Sequence, residues 1–444
     1  MSDINTFLHF CLIQKDTSKF LVLPSLPNPF NYDIKNLAFY SCSDVPSCQI
    51  QIHFHPSRDV YGIPLGVISC SLSSKISVAI LTNSPFLTYF STRLQRISQF
   101  FLTQPGISKE IFIQGYNLLV SSVVPSPAPI EIETAFGVDQ SLTRLLNKYS
   151  SEFPTLLKLL LIESKTIFLS TNDSSSLMMY ALANCMPGLI TPFTDILSIC
   201  GVDVINPLLE LSLPFKNYST NSLFFSLPLV SLNNIIGNQT GFMAAVCSSV
   251  LRTRSENIDV IIDIDNSKLI WNNKQLQKIV SCTSSDKKFS KYLVDKIRQH
   301  KSLHTYEGSE HWLLMKSALY IIQFLSMMCS FDIFSDNETL PKNIPNCQDY
   351  GTDFVNGFCK TKGFYEWKKS LMLSGKAKKM TELFEPSHPC NKLFNESKQK
   401  LIRGTIYDYE QLFKMNVLIQ KSEIHSINTT TNEIDLELDD SIDL

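Results

Sequence analysis

Ile258-Asp259-Val260-Ile261-Ile262-Asp263-Ile264-Asp265-Asn266-Ser267-Lys268-Leu269-Ile270-Trp271 is the stretch that decides the fold of this chain. Val260, Ile262 and Ile264 alternate with Asp259, Ile261, Asp263 and Asp265, the period of two that builds a strand. Asn266-Ser267 supplies turn chemistry, and Lys268–Trp271 returns as a second short strand. The spacing therefore predicts a hairpin. Gly241–Val246 reads as a buried segment before it, and a helix is expected from Asp286. On a strand, Asp263 and Asp265 share a face, where two carboxylates can hold a divalent cation. A solvated strand face ending in a turn is the expected state.

Working outward, residues 136–285 alternate helix and strand, as an α/β module does. A helix is predicted from about residue 155, a strand over Thr166–Ser170, and a second helix from Ser174, with Ser174 or Ser175 as its cap and Pro187-Gly188 as its stop. Further upstream, Phe7–Ile13, Phe20–Leu23, Gln49–His55, Ile63–Ser69 and Ser77–Thr82 read as strands. Phe86–Phe101 follows as a helix with Arg93 and Arg96 on a polar face. Three prolines make Ser121–Ile130 the best linker. Residues 286–395 turn mainly helical, and Leu313–Met328 is their most apolar stretch. Lys368, Lys369, Lys376, Lys378 and Lys379 form a basic run that reads as a solvated helix end or a contact with an anionic membrane. After Lys421 no Lys or Arg remains while seven acids follow, the pattern of a disordered acidic tail.

These blocks, in this order, resemble a DENN-domain protein, and more narrowly the AVL-nine-type late secretory and cell-migration branch of that family. Leu23-Pro24-Ser25-Leu26-Pro27 and Tyr61-Gly62-Ile63-Pro64-Leu65-Gly66 are similar to its longin-like upstream module. Leu156–Phe168 resembles its helix-into-strand stretch, and Glu310-His311-Trp312, Tyr350-Gly351-Thr352 and His388-Pro389 resemble blocks of its downstream module. Val246-Cys247-Ser248-Ser249 departs from the family's Ala-Thr-Asn, and His388-Pro389-Cys390 from its His-Pro-Phe. The resemblance implies a tripartite α/β architecture: an upstream module over 1–122, a Pro-rich linker over 123–135, a central module over 136–285, a helical module over 286–395 and a helical or disordered acidic tail over 396–444. It also implies binding of a Rab-family small GTPase and promotion of GDP/GTP exchange in late secretory or endosomal transport. A trafficking adaptor with the same fold and no exchange activity is the alternative. Within that frame, Arg252, Arg254, Glu256 and Asn257 form the polar loop expected to meet the GTPase, against the alternative of an ordinary exposed connection.

Composition bounds the other readings. With 44% hydrophobic and 18% charged residues the chain is suited to a substantial core, and its net charge of −2 favours protein partners over nucleic acid. Twelve cysteines without any Cys-x-x-Cys pair read as reduced cytosolic thiols. His53/His55 and His300/His304 each suit two metal ligands but lack an evident third. Ser374-Gly375-Lys376-Ala377 lacks the first glycine of a phosphate loop, so no bound nucleotide or other cofactor is expected. Ser317–Phe331 is apolar but short for a membrane span. The expectation is a cytoplasmic protein, not a conventional enzyme, held peripherally at secretory or endosomal membranes.

Overall fold

The computed structural model describes residues 9–15, 20–27, 49–58, 64–73, 75–82, 87–123, 140–172, 175–186, 222–253, 257–330, 346–374, 381, 386–392 and 442–443. Strands β1 (His9–Lys15), β2 (Phe20–Pro27), β3 (Ile50–Arg58), β4 (Pro64–Ser71) and β5 (Ile76–Thr82) form an antiparallel sheet in the order β2-β1-β5-β4-β3. They lie where the alternation places them, each longer or shorter by a few residues at its ends. Two helices cover this sheet, α1 (Leu87–Leu102) and, after the short β6 (Gly106–Ile107), α2 (Lys109–Val123). Phe90, Leu94, Ile97 and Phe101 form the buried stripe of α1, and Phe112 of α2 stacks on Phe10 of β1 with centroids 5.0 Å apart. Arg93 lies 3.8 Å over the Tyr89 ring and donates to the Ser122 carbonyl at 3.1 Å, while Arg96 is exposed. Ser121–Val123 thus belong to α2, which corrects the expected start of the linker. The prolines that follow lie outside the described residues.

Helices α3 (Ser141–Lys148) and α4 (Phe153–Leu159) lead into β7 (Lys165–Leu169), α5 (Ser175–Asn184), β8 (Leu223–Phe224), α6 (Leu229–Asn238) and β9 (Phe242–Val246). A 3-10 turn, Ser249–Arg252, then precedes the predicted hairpin of β10 (Val260–Asp263) and β11 (Lys268–Trp271). The second sheet runs β11-β10-β7-β9-β8 and is parallel except for β11. A parallel sheet is covered on both faces, and this changes the meaning of the alternation in β10. Val260, Ile262 and Ile264 enter the main core, and Ile261 enters a second apolar cluster with Leu232 of α6. Asp263 is only 2% exposed, so the expected solvated face is a buried one. Gly241 is required by close approach, because a Cβ there would lie 2.9 Å from the backbone carbon of Glu163.

Contacts between the two sheets run through β3. Ser176 of α5 accepts from the Ile52 amide at 2.7 Å and donates to the Ile52 carbonyl at 3.2 Å. Ser226 donates to Gln51 at 2.9 Å beside it. The main core is continuous across this junction, from Phe10 and Ile52 through Leu177 to the helical region.

That region comprises α7 (Lys274–Ile279), α8 (Ser284–Leu303), α9 (Glu310–Cys329), α10 (Cys347–Tyr350), α11 (Thr352–Phe358), α12 (Lys362–Ser374) and a 3-10 turn at Pro389–Lys392. Gly351 joins α10 to α11 at φ +99°, a conformation that side chains rarely adopt. Among the described residues α9 is the one helix long and apolar enough to cross a membrane, yet 89% of its apolar window is buried inside the fold. Its first residue, Glu310, accepts from the Leu142 and Thr143 amides at 2.5 and 2.9 Å and so caps α3 from a distance in sequence. Burial pushes the neighbouring His311 down to about 3, so its imidazole is neutral, and Tyr306 bonds its Nδ1 at 2.7 Å. Of the acidic tail, Ile442–Asp443 (β12) pairs with β6.

The helices meet at Asp286, which is fully buried. Its Oδ2 accepts from Lys158 Nζ at 2.6 Å and the Thr283 amide at 2.8 Å; its Oδ1 accepts from the Tyr320 hydroxyl at 2.8 Å and His388 Nε2 at 3.1 Å. In return the Asp286 amide donates to Thr283 Oγ1, completing a capping box at the start of α8. Lys158, inside a run of leucines in α4, is also fully buried; it donates to the Ser281 carbonyl at 3.0 Å and lies 5.2 Å from the Phe354 ring centroid. Burial works to raise the Asp286 pKa, but the bonds from His388, Lys158 and Thr283 outweigh it and hold the carboxyl at about 2. Lys158→Met is expected to destabilise the protein by about 3–5 kcal/mol, since it strands a buried carboxylate. Because the folded pKa is depressed, the stabilisation is complete above the ordinary aspartate range and is lost as pH falls from about 4 towards 2. Thermal melts across that range should show a flatter acid slope for Asp286→Asn than for the parent, and identical slopes would refute the assignment.

Candidate functional site

Strands β7, β9 and β10 run parallel, so their C-terminal ends open onto one edge of the second sheet. In open α/β sheets this edge is where loops build sites. Three segments converge there: Ser170-Thr171-Asn172 after β7, the Ser249–Arg252 turn after β9, and Asp263–Asn266 at the end of β10. Arg252 joins them. Its Nε donates to Asp263 Oδ2 at 2.8 Å, and its Nη2 donates to Asp263 Oδ1 at 3.0 Å and to Asp265 Oδ2 at 2.6 Å. The planar fork of a guanidinium meets Asp263 through two parallel bonds, a geometry an ammonium cannot reproduce.

The remaining lone pairs of the two carboxylates are also taken. Asp265 accepts from the Ser170 hydroxyl at 2.5 Å and from the Thr171 amide and hydroxyl at 2.8 and 2.9 Å. Asp263 accepts from the Asn266 side-chain amide at 2.8 Å, which fixes the hairpin turn. Beneath them, Tyr149 donates to the Asp263 carbonyl at 2.7 Å and Lys148 to the Ile264 carbonyl at 2.9 Å, tying α3 to the strand end. Burial opposes ionisation at both carboxyls. The donors prevail, however: Arg252 and Asn266 hold Asp263, and Ser170, Thr171 and Arg252 hold Asp265, below the usual aspartate range. Those same two carboxylates raise the pKa of Arg252.

Of the loop residues singled out in the sequence, Arg252 is therefore a latch whose guanidinium binds its own chain. Asn257 stands at the far end of the loop with φ +63° and is exposed. Arg254 and Glu256 lie outside the described residues. The paired aspartates, weighed for a cation, hold a guanidinium instead. Among the described residues no group of His, Cys, Asp and Glu is arranged to hold a metal ion. His300 and His304 do not share a helix face as the spacing suggested. His300 bonds the Thr305 carbonyl through Nδ1, and His304 turns out of the helix at φ +50°. His53 is buried, and the side chain of His55 lies outside the described residues.

Ser170, Thr171 and the role of Arg252 towards its own strand are the residues that sequence reasoning missed. A signal was present: two carboxylates at the end of a strand with apolar neighbours on both sides require a cation, and Arg252 is the nearest arginine preceding them within the described residues. What the latch does is mechanical. It holds the Ser249–Arg252 turn against the sheet edge, with Leu251 turned inward and Ser249, Val250 and Thr253 facing solvent, Val250 being 44% exposed. The Ser249–Arg252 turn is thus firmly held, with the charges of Arg252, Asp263 and Asp265 already paired.

A family model described as transport protein Avl9 matches residues 47–328, a span that contains this edge and both of its sheets from β3 onward. The match covers more than half of the 444 residues, and the chain belongs to that transport-protein family.

The latch predicts a specific pattern of coupling. Arg252→Ala should cost about 1–3 kcal/mol, discounted for the partial exposure of the guanidinium, and Arg252→Lys should recover only part of it. In an Asp263→Asn/Asp265→Asn background the same Arg252→Ala change should cost far less. Melting temperatures at pH 7 for the double-mutant cycle measure this, and strictly additive losses would show that the three side chains act independently.

Proposed function

We propose that this Avl9-family chain is a DENN-type regulator that binds a Rab-family small GTPase and promotes exchange of GDP for GTP in late secretory or endosomal transport. Membership of a transport-protein family supports the setting. The order of parts along the chain supports the tripartite reading: an antiparallel sheet backed by two helices, as a longin-like module requires, then a parallel sheet, then helices. In this reading the upstream module ends with α2 near residue 122, the central module carries the latched loop, and the helical module begins near 286 with α8.

The observation that carries the proposal is the loop after β9, held by Arg252 at the C-terminal edge of a parallel sheet. Exchange requires no acid, base or nucleophile. It requires a rigid surface that binds the nucleotide-free GTPase more tightly than the loaded one, and linkage then weakens nucleotide binding by the same factor. A preorganised loop loses little conformational entropy when a partner docks, which suits that task. Val250 supplies the apolar contact, and Arg254 and Glu256, which follow in sequence outside the described residues, are the charged residues this reading assigns to the GTPase.

Release of fluorescent GDP from a panel of Rab proteins tests the proposal with the full chain. At least one Rab should lose nucleotide tenfold faster or more, and Val250→Asp or Arg254→Ala should slow that release without lowering the melting temperature. Arg252 is the wrong probe, because its loss disturbs the fold. Binding without accelerated release would make the chain an adaptor, and no binding to any Rab would overturn the reading.

A further inference from the structure

The last long helix presents an unusual outer face. In α12 the side chains of Phe364, Trp367 and Leu371 are buried in the main core, with Trp367 at 2% and Leu371 at 1% exposure. The opposite stripe is Lys362, Tyr365, Lys369, Met372 and Leu373, all exposed. At helical spacing these five residues fall within roughly a 100° arc. Tyr365 is 64% exposed and Leu373 82%, the highest exposure of any large apolar side chain among the described residues. Lys368 flanks the stripe and is half-buried. The apolar tips therefore alternate along the helix with ammonium groups.

We propose that this stripe is a membrane-docking face, with an anionic lipid surface as its occupant. The arrangement fits an interface between water and lipid: Tyr365 and Met372 on one side of the arc and Leu373 on the other enter the headgroup and acyl boundary, while the flexible stems of Lys362 and Lys369 between them carry their ammonium groups to anionic headgroups. Charge complementarity selects the lipid. The stripe holds two lysines and no acid, and Glu366 at its margin is half-buried. Its size argues the same way, since three apolar tips are far less than the ~800 Å² per partner of a stable protein interface. The helix is held by its buried side, so the face is presented without folding on contact. In sequence, Lys376, Lys378 and Lys379 follow outside the described residues, and the face is complete without them.

This inference deepens the transport reading by naming the surface that meets the membrane, but it does not depend on exchange activity. Flotation of the full chain with vesicles of phosphatidylcholine containing 30% phosphatidylserine, against pure phosphatidylcholine, provides the test. The parent chain should float with the anionic vesicles and at least about tenfold less with the neutral ones. Tyr365→Ser/Met372→Ser/Leu373→Ser and Lys362→Glu/Lys369→Glu should each cut anionic binding about tenfold or more. Both sets alter only exposed side chains, so melting temperature and GDP release in solution should stay as in the parent. No flotation of the parent chain would overturn the proposal. Unchanged flotation of both variants would overturn it too, even if some other surface bound lipid or the stripe bound a protein. A parent chain that floats but releases no GDP from any Rab would leave this inference standing and defeat the exchange reading.

Discussion

Four donors converge on one buried carboxylate, and the helical half of the molecule is arranged around that fact. Asp286 receives an ammonium, an amide, a phenol and an imidazole, so each of its lone pairs is used. These groups come from α4, the start of α8, α9 and His388 just before the 3-10 turn at Pro389–Lys392, segments spread over more than 200 residues of sequence. A buried ion pair adds little net stability compared with an apolar contact of the same shape, but a misaligned one is costly. The cluster therefore acts on register: α4 and α9 cannot slide or rotate against α8 without leaving a charge or a hydroxyl unpaired. Aromatic rings fill the space around it, with Tyr350 4.7 Å and Tyr320 5.3 Å from the His388 ring.

The latch at Arg252 follows the same logic in a more open setting. There the cation arrives from a loop instead of from a helix, and what it fixes is a surface. The two centres sit at opposite ends of one argument: Asp286 sets how the helices pack, and Asp263 with Asp265 sets where the loop after β9 stands. Both bind a cation of the same chain at the cost of desolvating it, and both return that cost as positional accuracy.

Much of this was legible from the residues. Period-two alternation located β1, β3, β5 and the β10–β11 hairpin because those strands are short and bounded by turns. The run Leu156–Phe168 announced a helix entering a strand. What the pattern could not reveal was the second cover on the parallel sheet. Alternating Asp and Ile in β10 looks the same whether the acidic side meets water or an arginine from the same chain, and only the pairing of β10 with β7 decides it. Lys158 was similarly ambiguous. A single lysine among leucines reads as a solvated position until a buried acid is found opposite. Proline counting placed the linker start too early, since the helical bonds of Ser121–Val123 leave no trace in composition. For the loop itself, the sequence singled out Arg252 as an outward contact, whereas its guanidinium is bound by Asp263 and Asp265 at the end of β10, up to thirteen residues ahead and across β7 from β9.

The bond between Ser176 and Ile52 has a consequence for how the chain can be divided. Strand β3 lies at the border of the first sheet, and near its start the outward amide and carbonyl of Ile52 are both answered by one hydroxyl from α5. A fragment ending after α2 would contain all five strands and both covering helices, yet it would display a bare strand margin with an apolar side where α5 had been. Such a margin recruits other strands. The first sheet is thus complete in topology but not in solubility, and the connection that follows α2 is a poor place to cut the polypeptide.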